Sequence, residues 1–126
     1  MKTVINTVNA PAPIGPYSQA IEAGNFIFFS GQVAINPVTN DLVLDDIKTE
    51  TTQVMENIKA LLTEAGVGFG NIVKTTIFLK DMQTFAQVNE VYGSYFTDKF
   101  PARETVAVAG LPKNVNVEIS VTAIKG

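Results

Sequence analysis

Val115-Asn116-Val117-Glu118-Ile119-Ser120-Val121-Thr122-Ala123-Ile124 alternates apolar and polar residues almost without a break. Successive side chains of a strand point to opposite faces. Val115, Val117, Ile119, Val121 and Ala123 therefore line one face, and Asn116, Glu118, Ser120 and Thr122 line the other. Thr105 to Leu111 precedes it across Pro112-Lys113-Asn114, and the two segments read as an antiparallel pair. A strand with one apolar face needs a second layer to bury it. Upstream, Ile47, Val54, Met55, Ile58, Leu61, Leu62 and Ala65 recur at helical spacing, with Asp45 or Asp46 available as cap and Gly66 as stop. A second helix follows Asp81, with a stripe of Phe85, Val88, Val91, Tyr92, Tyr95 and Phe96. Between the helices, Ile72 to Lys80 reads as a strand with Val73, Thr75, Ile77 and Leu79 on one face.

Toward the N-terminus, Tyr17 to Ala23 and Phe26 to Ser30 flank Gly24-Asn25, a two-residue hairpin signal. Phe26-Ile27-Phe28-Phe29 is apolar on both faces, which predicts a central strand covered on both sides. Met1 to Asn6 reads as a short strand. Asn9 to Pro16 is a loop in which Pro11, Pro13 and Pro16 forbid helix. With no linker or repeat, residues 1–126 read as one α+β domain, a single mixed β-sheet with two helices packed on one face. No helix is left to cover the other face. Ile72, Phe78 and the second face of the Phe26 strand make it apolar, which points to a partner subunit.

Composition narrows the chemistry. The 126 residues include no His, no Cys and no Trp, and Arg103 is the single arginine among 9 basic residues. Ser/His/Asp and Cys/His triads, thiol redox chemistry and Cys/His zinc sites are excluded. Acid–base work near neutral pH falls to carboxylates, Lys, Tyr or water. A net charge of -3 argues against nucleic-acid binding, which leaves a basic footprint. Charged residues make up 17% of the chain, against about 25% in an average globular protein, and mean hydropathy is +0.20. So few charges on so small a domain predict an oligomer. No run approaches a membrane span or the core of an export signal, so a cytoplasmic location is expected.

Few residues carry candidate chemistry. Arg103 follows the rigid Pro101-Ala102 at a strand entrance, and a guanidinium grips carboxylate or phosphate bidentately; the plain alternative is a surface pair with Glu104. Alternation makes Glu118 part of a solvated strand face, while its chemical alternative is a partly buried carboxylate that relays protons. Tyr17, set by a proline-rich loop, is packing or a pocket wall. Ser30-Gly31-Gln32 ends the Phe strand, where glycine permits close approach of a ligand or simply forms a bulge. Asn89 is a helix-surface residue or a polar group turned into a cleft. Gly66-Val67-Gly68-Phe69-Gly70 follows a helix and lacks Lys-Ser/Thr, so it is no phosphate loop. Asp41, Asp45 and Asp46 read as turn and cap residues, not a metal site.

These pieces together resemble the Rid family of reactive imine deaminases, also labelled YjgF-type, endoribonuclease L-PSP or translation inhibitor. The resemblance is carried by Ala12-Pro13-Ile14-Gly15-Pro16-Tyr17-Ser18-Gln19-Ala20, Ser30-Gly31-Gln32, Val88-Asn89, Pro101-Ala102-Arg103, Leu111-Pro112 and Val117-Glu118-Ile119. It spans nearly the whole chain in one register. It implies a chorismate-mutase-like fold, a homotrimer with pockets at subunit interfaces, and hydrolysis of 2-imino acids and their enamine tautomers to 2-keto acids and ammonia. It implies Arg103 as the carboxylate grip, Glu118 as the acid that positions or activates water, and Tyr17, Ser30, Gly31 and Asn89 as pocket residues. Thr105 stands where some members carry Cys; this excludes an essential thiol but leaves a hydroxyl for a ligand. Neither a metal nor an organic cofactor is implied. A non-catalytic binder of keto or imino acids would use the same Arg103. A ribonuclease fits the acidic charge and missing His least.

Overall fold

The computed structural model describes residues 1–126. Six strands, β1 (Lys2–Ile5), β2 (Ala20–Ala23), β3 (Phe26–Phe29), β4 (Ile72–Leu79), β5 (Ala102–Ala107) and β6 (Val117–Ile124), form one sheet in the order β1-β2-β3-β6-β4-β5. Helices α1 (Ile47–Glu64) and α2 (Phe85–Gly93) lie against one face. Only the β4–β5 pair is parallel, and α2 is its crossover. β3 and β4 both run antiparallel to β6, so α1 connects two strands of the same direction with β6 between them.

The mixed sheet with helices on one face is the predicted architecture; the strand pairing differs. β5 and β6 are not partners. β5 pairs with β4 in parallel, and β6 fills the centre between β3 and β4. Alternation tells which residues share a face but is silent on the neighbouring strand, and α2 returns the chain to the outer side of β4. β2 is also shorter than read, with Tyr17 to Gln19 left in the loop.

Each element answers to local chemistry. Asp46, not Asp45, caps α1: its carboxylate accepts from the Thr49 amide at 2.8 Å, which holds its pKa below the usual carboxylate value. Gly66 then turns the chain with φ +78. Asp81 caps a short 3-10 turn, Met82–Thr84, that leads into α2. The predicted β2–β3 hairpin forms with Gly24 at φ +60. Val54, Met55, Ile58, Leu61 and Leu62 of α1 pack with Ile27, Ile77, Leu79, Val117 and Ile119 to make the core.

Two face assignments change. A β-bulge between Ile72 and Lys74 shifts the register. Ile72 therefore turns inward to the helices, and Val73 turns out to 38% exposure. Phe26 and Phe28 lie on the helix-free face of β3, where they stack with centroids 6.0 Å apart yet stay about half exposed, at 47% and 48%. β3 is central in the sheet, but one face of it has no cover within the chain. No helix is long and apolar enough to cross a membrane.

Candidate functional site

The sheet registers decide where the candidate residues go. Arg103 lies opposite Thr75, and Thr105 opposite Ile77. Thr75 and Ile77 are buried toward the helices, so Arg103 and Thr105 belong to the helix side at the β5 edge. Glu118 lies opposite Phe78, on the helix-free face. Within one chain the sheet itself separates Arg103 from Glu118.

The Glu118 group is built where the exit of β3 meets β6. Gln32 and Ile119 exchange backbone hydrogen bonds of 2.8 and 3.1 Å, which sets Gly31 against Glu118. A Cβ on Gly31 would fall on the Glu118 carboxylate, 2.9 Å from its Cδ and closer still to Oε2. Glycine is needed here because the carboxylate occupies the space a side chain would take. A cavity of about 360 Å³ opens at this point, lined by Tyr17, Ser30, Gly31 and Glu118 together with Ile14, Ile35, Pro112 and Lys113. Burial in it raises the Glu118 carboxyl above the usual carboxylate pKa. Glu118 is thus half-buried at a cavity wall, not a member of a plain solvated face.

The cavity walls are tied from behind. The Ser30 hydroxyl donates to the Ser18 carbonyl at 2.6 Å, joining the β3 exit to the proline-rich loop. Buried Gln19 accepts from the Thr7 amide and donates to the Thr7, Ala10 and Pro11 carbonyls, fixing the loop that carries Tyr17. Buried Asn57 of α1 donates to the Val33 and Ile35 carbonyls. Sequence reading named Ser30 as a pocket residue but missed the supports from Gln19 and Asn57 and the cavity cation Lys113. For Asn57 the signal was present: a polar residue beside Ile58 on the buried side of an amphipathic helix.

Arg103 occupies a separate open cleft of about 320 Å³ with Asn89, Tyr92, Phe100 and Pro101. It does not pair with Glu104. That carboxylate is taken by Lys74 at 2.8 Å and by the Thr76 hydroxyl at 2.6 Å, which together hold its pKa low. The guanidinium instead lies over the Tyr92 ring at 5.1 Å and near Phe85 at 5.8 Å. Aromatic faces hold the cation while leaving its donors unused. Tyr92 is locked in turn by its hydroxyl, which donates to Thr75 at 2.9 Å. Next to Arg103 along the strand face, Thr105 Oγ1 is the one buried side-chain polar atom in the chain with no hydrogen-bond partner.

The structure therefore brings Tyr17, Ser30, Gly31 and Glu118 together, brings Asn89 to Arg103 with Thr105 beside it on β5, and keeps the two groups apart. One group holds a half-buried carboxyl whose pKa burial raises, the other a guanidinium without an anionic partner. No three acidic side chains converge as a metal cage would require.

Residues 7–125 match the family model described as Endoribonuclease L-PSP. A RutC family protein of Pyrococcus horikoshii is 55% identical over 125 residues, covering 99% of both chains. Among solved structures, a Rid family protein of Yersinia pestis, YyfA, superposes with a TM-score of 0.96 at 51% identity, covering 98% of this chain and 99% of that one. The YjgF gene product of E. coli superposes with a TM-score of 0.94 at 45% identity, covering 98% and 99%. Likeness of this extent, in sequence and fold at once, places the chain in the endoribonuclease L-PSP family, to which the Rid and YjgF proteins belong.

Proposed function

We propose that the protein hydrolyses reactive 2-imino acids, in equilibrium with their enamines, to 2-keto acids and ammonia. The site would be completed between copies of the chain in a homotrimer, the Arg103 cleft of one copy facing the Glu118 cavity of the next. The observation that carries the reading is the pair of half-sites on opposite faces of the sheet: an anion grip without an anion, and a carboxyl with raised pKa without a substrate anchor. The uncovered Phe26–Phe28 face supports the oligomer, since stacked aromatics half open to water are normally interface residues.

In this reading Arg103, permanently charged, binds the substrate carboxylate bidentately. Asn89 and the unpaired Thr105 hydroxyl add hydrogen bonds at the same end. Water adds across the C=N bond as Glu118 passes a proton from the water to nitrogen, giving a carbinolamine. Glu118 then passes the carbinolamine hydroxyl proton to nitrogen as C=O forms and the C–N bond breaks, and neutral ammonia leaves. Imines hydrolyse readily in water, so positioning and one proton relay are enough. A backbone carbonyl accepting from the imine N–H would complete the orientation. Such a site needs no metal and no organic cofactor, and we place it in the cytoplasm.

The test generates 2-iminobutyrate and 2-aminoacrylate in situ with an amino-acid dehydratase and traps the imine with semicarbazide. The protein should divert imine to keto acid, and Arg103→Ala should lower kcat/KM by about 100-fold or more. Near wild-type hydrolysis by Arg103→Ala would remove the carboxylate grip. Thermal shifts with keto acids, without faster imine loss, would make the protein a binder. RNA cleavage, which the family description names, would have to come from a chain of net charge -3 without His.

A further inference from the structure

One buried carboxylate lies outside both half-sites. Glu50, in the first turn of α1, is fully buried and pairs with no cation. Its Oε2 accepts from the backbone amides of Asn116 at 2.8 Å and Val117 at 3.2 Å, and its Oε1 accepts from Asn116 Nδ2 at 2.7 Å. A carboxylate out of water persists only where donors replace its hydration. Here all of them come from the two residues directly before Glu118. From the other side, the Lys80 amide donates to the Asn116 carbonyl and Lys80 Nζ to Asn114 Oδ1, each at 3.0 Å. At and just before the first of these ties the chain passes through left-handed backbone, at Lys113 (φ 55) and Asn114 (φ 56). Non-glycine residues hold that conformation only when their surroundings enforce it. Pro112 and Lys113 form one wall of the cavity, and Glu118 forms another.

We propose that Glu50 is a positioning residue of the candidate site. Through Asn116 it fixes both the left-handed turn that carries Lys113 and the start of β6 that carries Glu118. The proposal rests on the reading of this cavity as half of the imine-hydrolysing site. Glu50 stands on the apolar stripe, three residues after Ile47 and four before Val54, and removing its carboxylate strands the Asn116 and Val117 donors, which costs stability by itself. The test therefore reads the geometry of the cavity as well as Tm.

The experiment compares Glu50→Gln and Glu50→Asp with Leu62→Ala, a change at an equally buried position about 18 Å further along the same helix. The amide of Gln turns one acceptor into a donor facing donors. Exchange of the Asn116 and Val117 amide protons should then accelerate, and the NMR signals of Gly31, Lys113 and Glu118 should move. Turnover of imine should fall about tenfold in kcat with a smaller change in KM. Asp, which keeps both acceptors, should recover part of the loss, and Leu62→Ala should lower Tm while keeping kcat. Unmoved Gly31, Lys113 and Glu118 signals in Glu50→Gln would overturn the proposal, as would a kcat loss no larger than that of Leu62→Ala at equal loss of Tm. If the wild-type protein fails to hydrolyse imines, the proposed function falls alone, and the same three signals still decide the role of Glu50.

Discussion

At Glu118 the carboxyl is raised because the cavity withholds water from its ionised form. A group whose folded pKa exceeds its unfolded value of 4.5 adds stability that is present in full below 4.5 and is lost as pH rises through the folded value. The ionised carboxylate is therefore a burden on the fold. Glu118→Gln should raise Tm at pH 7.5 relative to wild type and lose that advantage at pH 4, as scanning calorimetry at the two pH values would show. The same substitution should lower kcat by about 100-fold or more and remove the acidic limb of the pH–rate profile, which in the wild type should sit above 4.5. Gly31 leaves the space the Glu118 carboxylate occupies. Gly31→Ala pushes the carboxylate aside, because the far end of a side chain yields before backbone does. We expect a folded protein with unchanged far-UV circular dichroism and kcat reduced by about 100-fold, the usual effect of a displacement near 1 Å.

Among the elements, those set by local chemistry were legible and those set by distant pairing were not. The α1 stripe, its Asp cap and the Gly24 hairpin follow from spacing and backbone preference, and they stand where sequence puts them. The cap has a measurable share: Asp46→Ala removes the acceptor for the Thr49 amide and should lower the midpoint of urea unfolding, with m unchanged. The order of β5 and β6 was not legible, because which strand lies beside β4 depends on where α2 delivers the chain. The Val73 bulge was equally hidden: a single extra residue reverses the faces of Ile72 and Val73 while leaving the apolar run intact. At the site, Arg103, Glu118 and Gly31 could be singled out by type and setting. Lys113 and Glu50 could not be tied to them, since the turn that joins these residues depends on hydrogen bonds 66 residues apart in sequence.

For the whole molecule, the proposed assembly accounts at once for the low charge fraction and the uncovered aromatic face, as a surface covered by other copies of the chain. On this account the sheet acts as a partition. It presents the anion grip on one side and the proton carrier on the other, so a complete site needs two copies. Mixing two inactive variants tests this directly. Arg103→Ala and Glu118→Gln proteins, each without activity, are unfolded together, refolded in equal amounts and assayed for imine hydrolysis. Random assembly joins an intact Arg103 half to an intact Glu118 half at about one site in four, so about a quarter of wild-type activity should return. Mixed oligomers that form, as native mass spectrometry would show, and yet stay inactive would contradict a site shared between subunits.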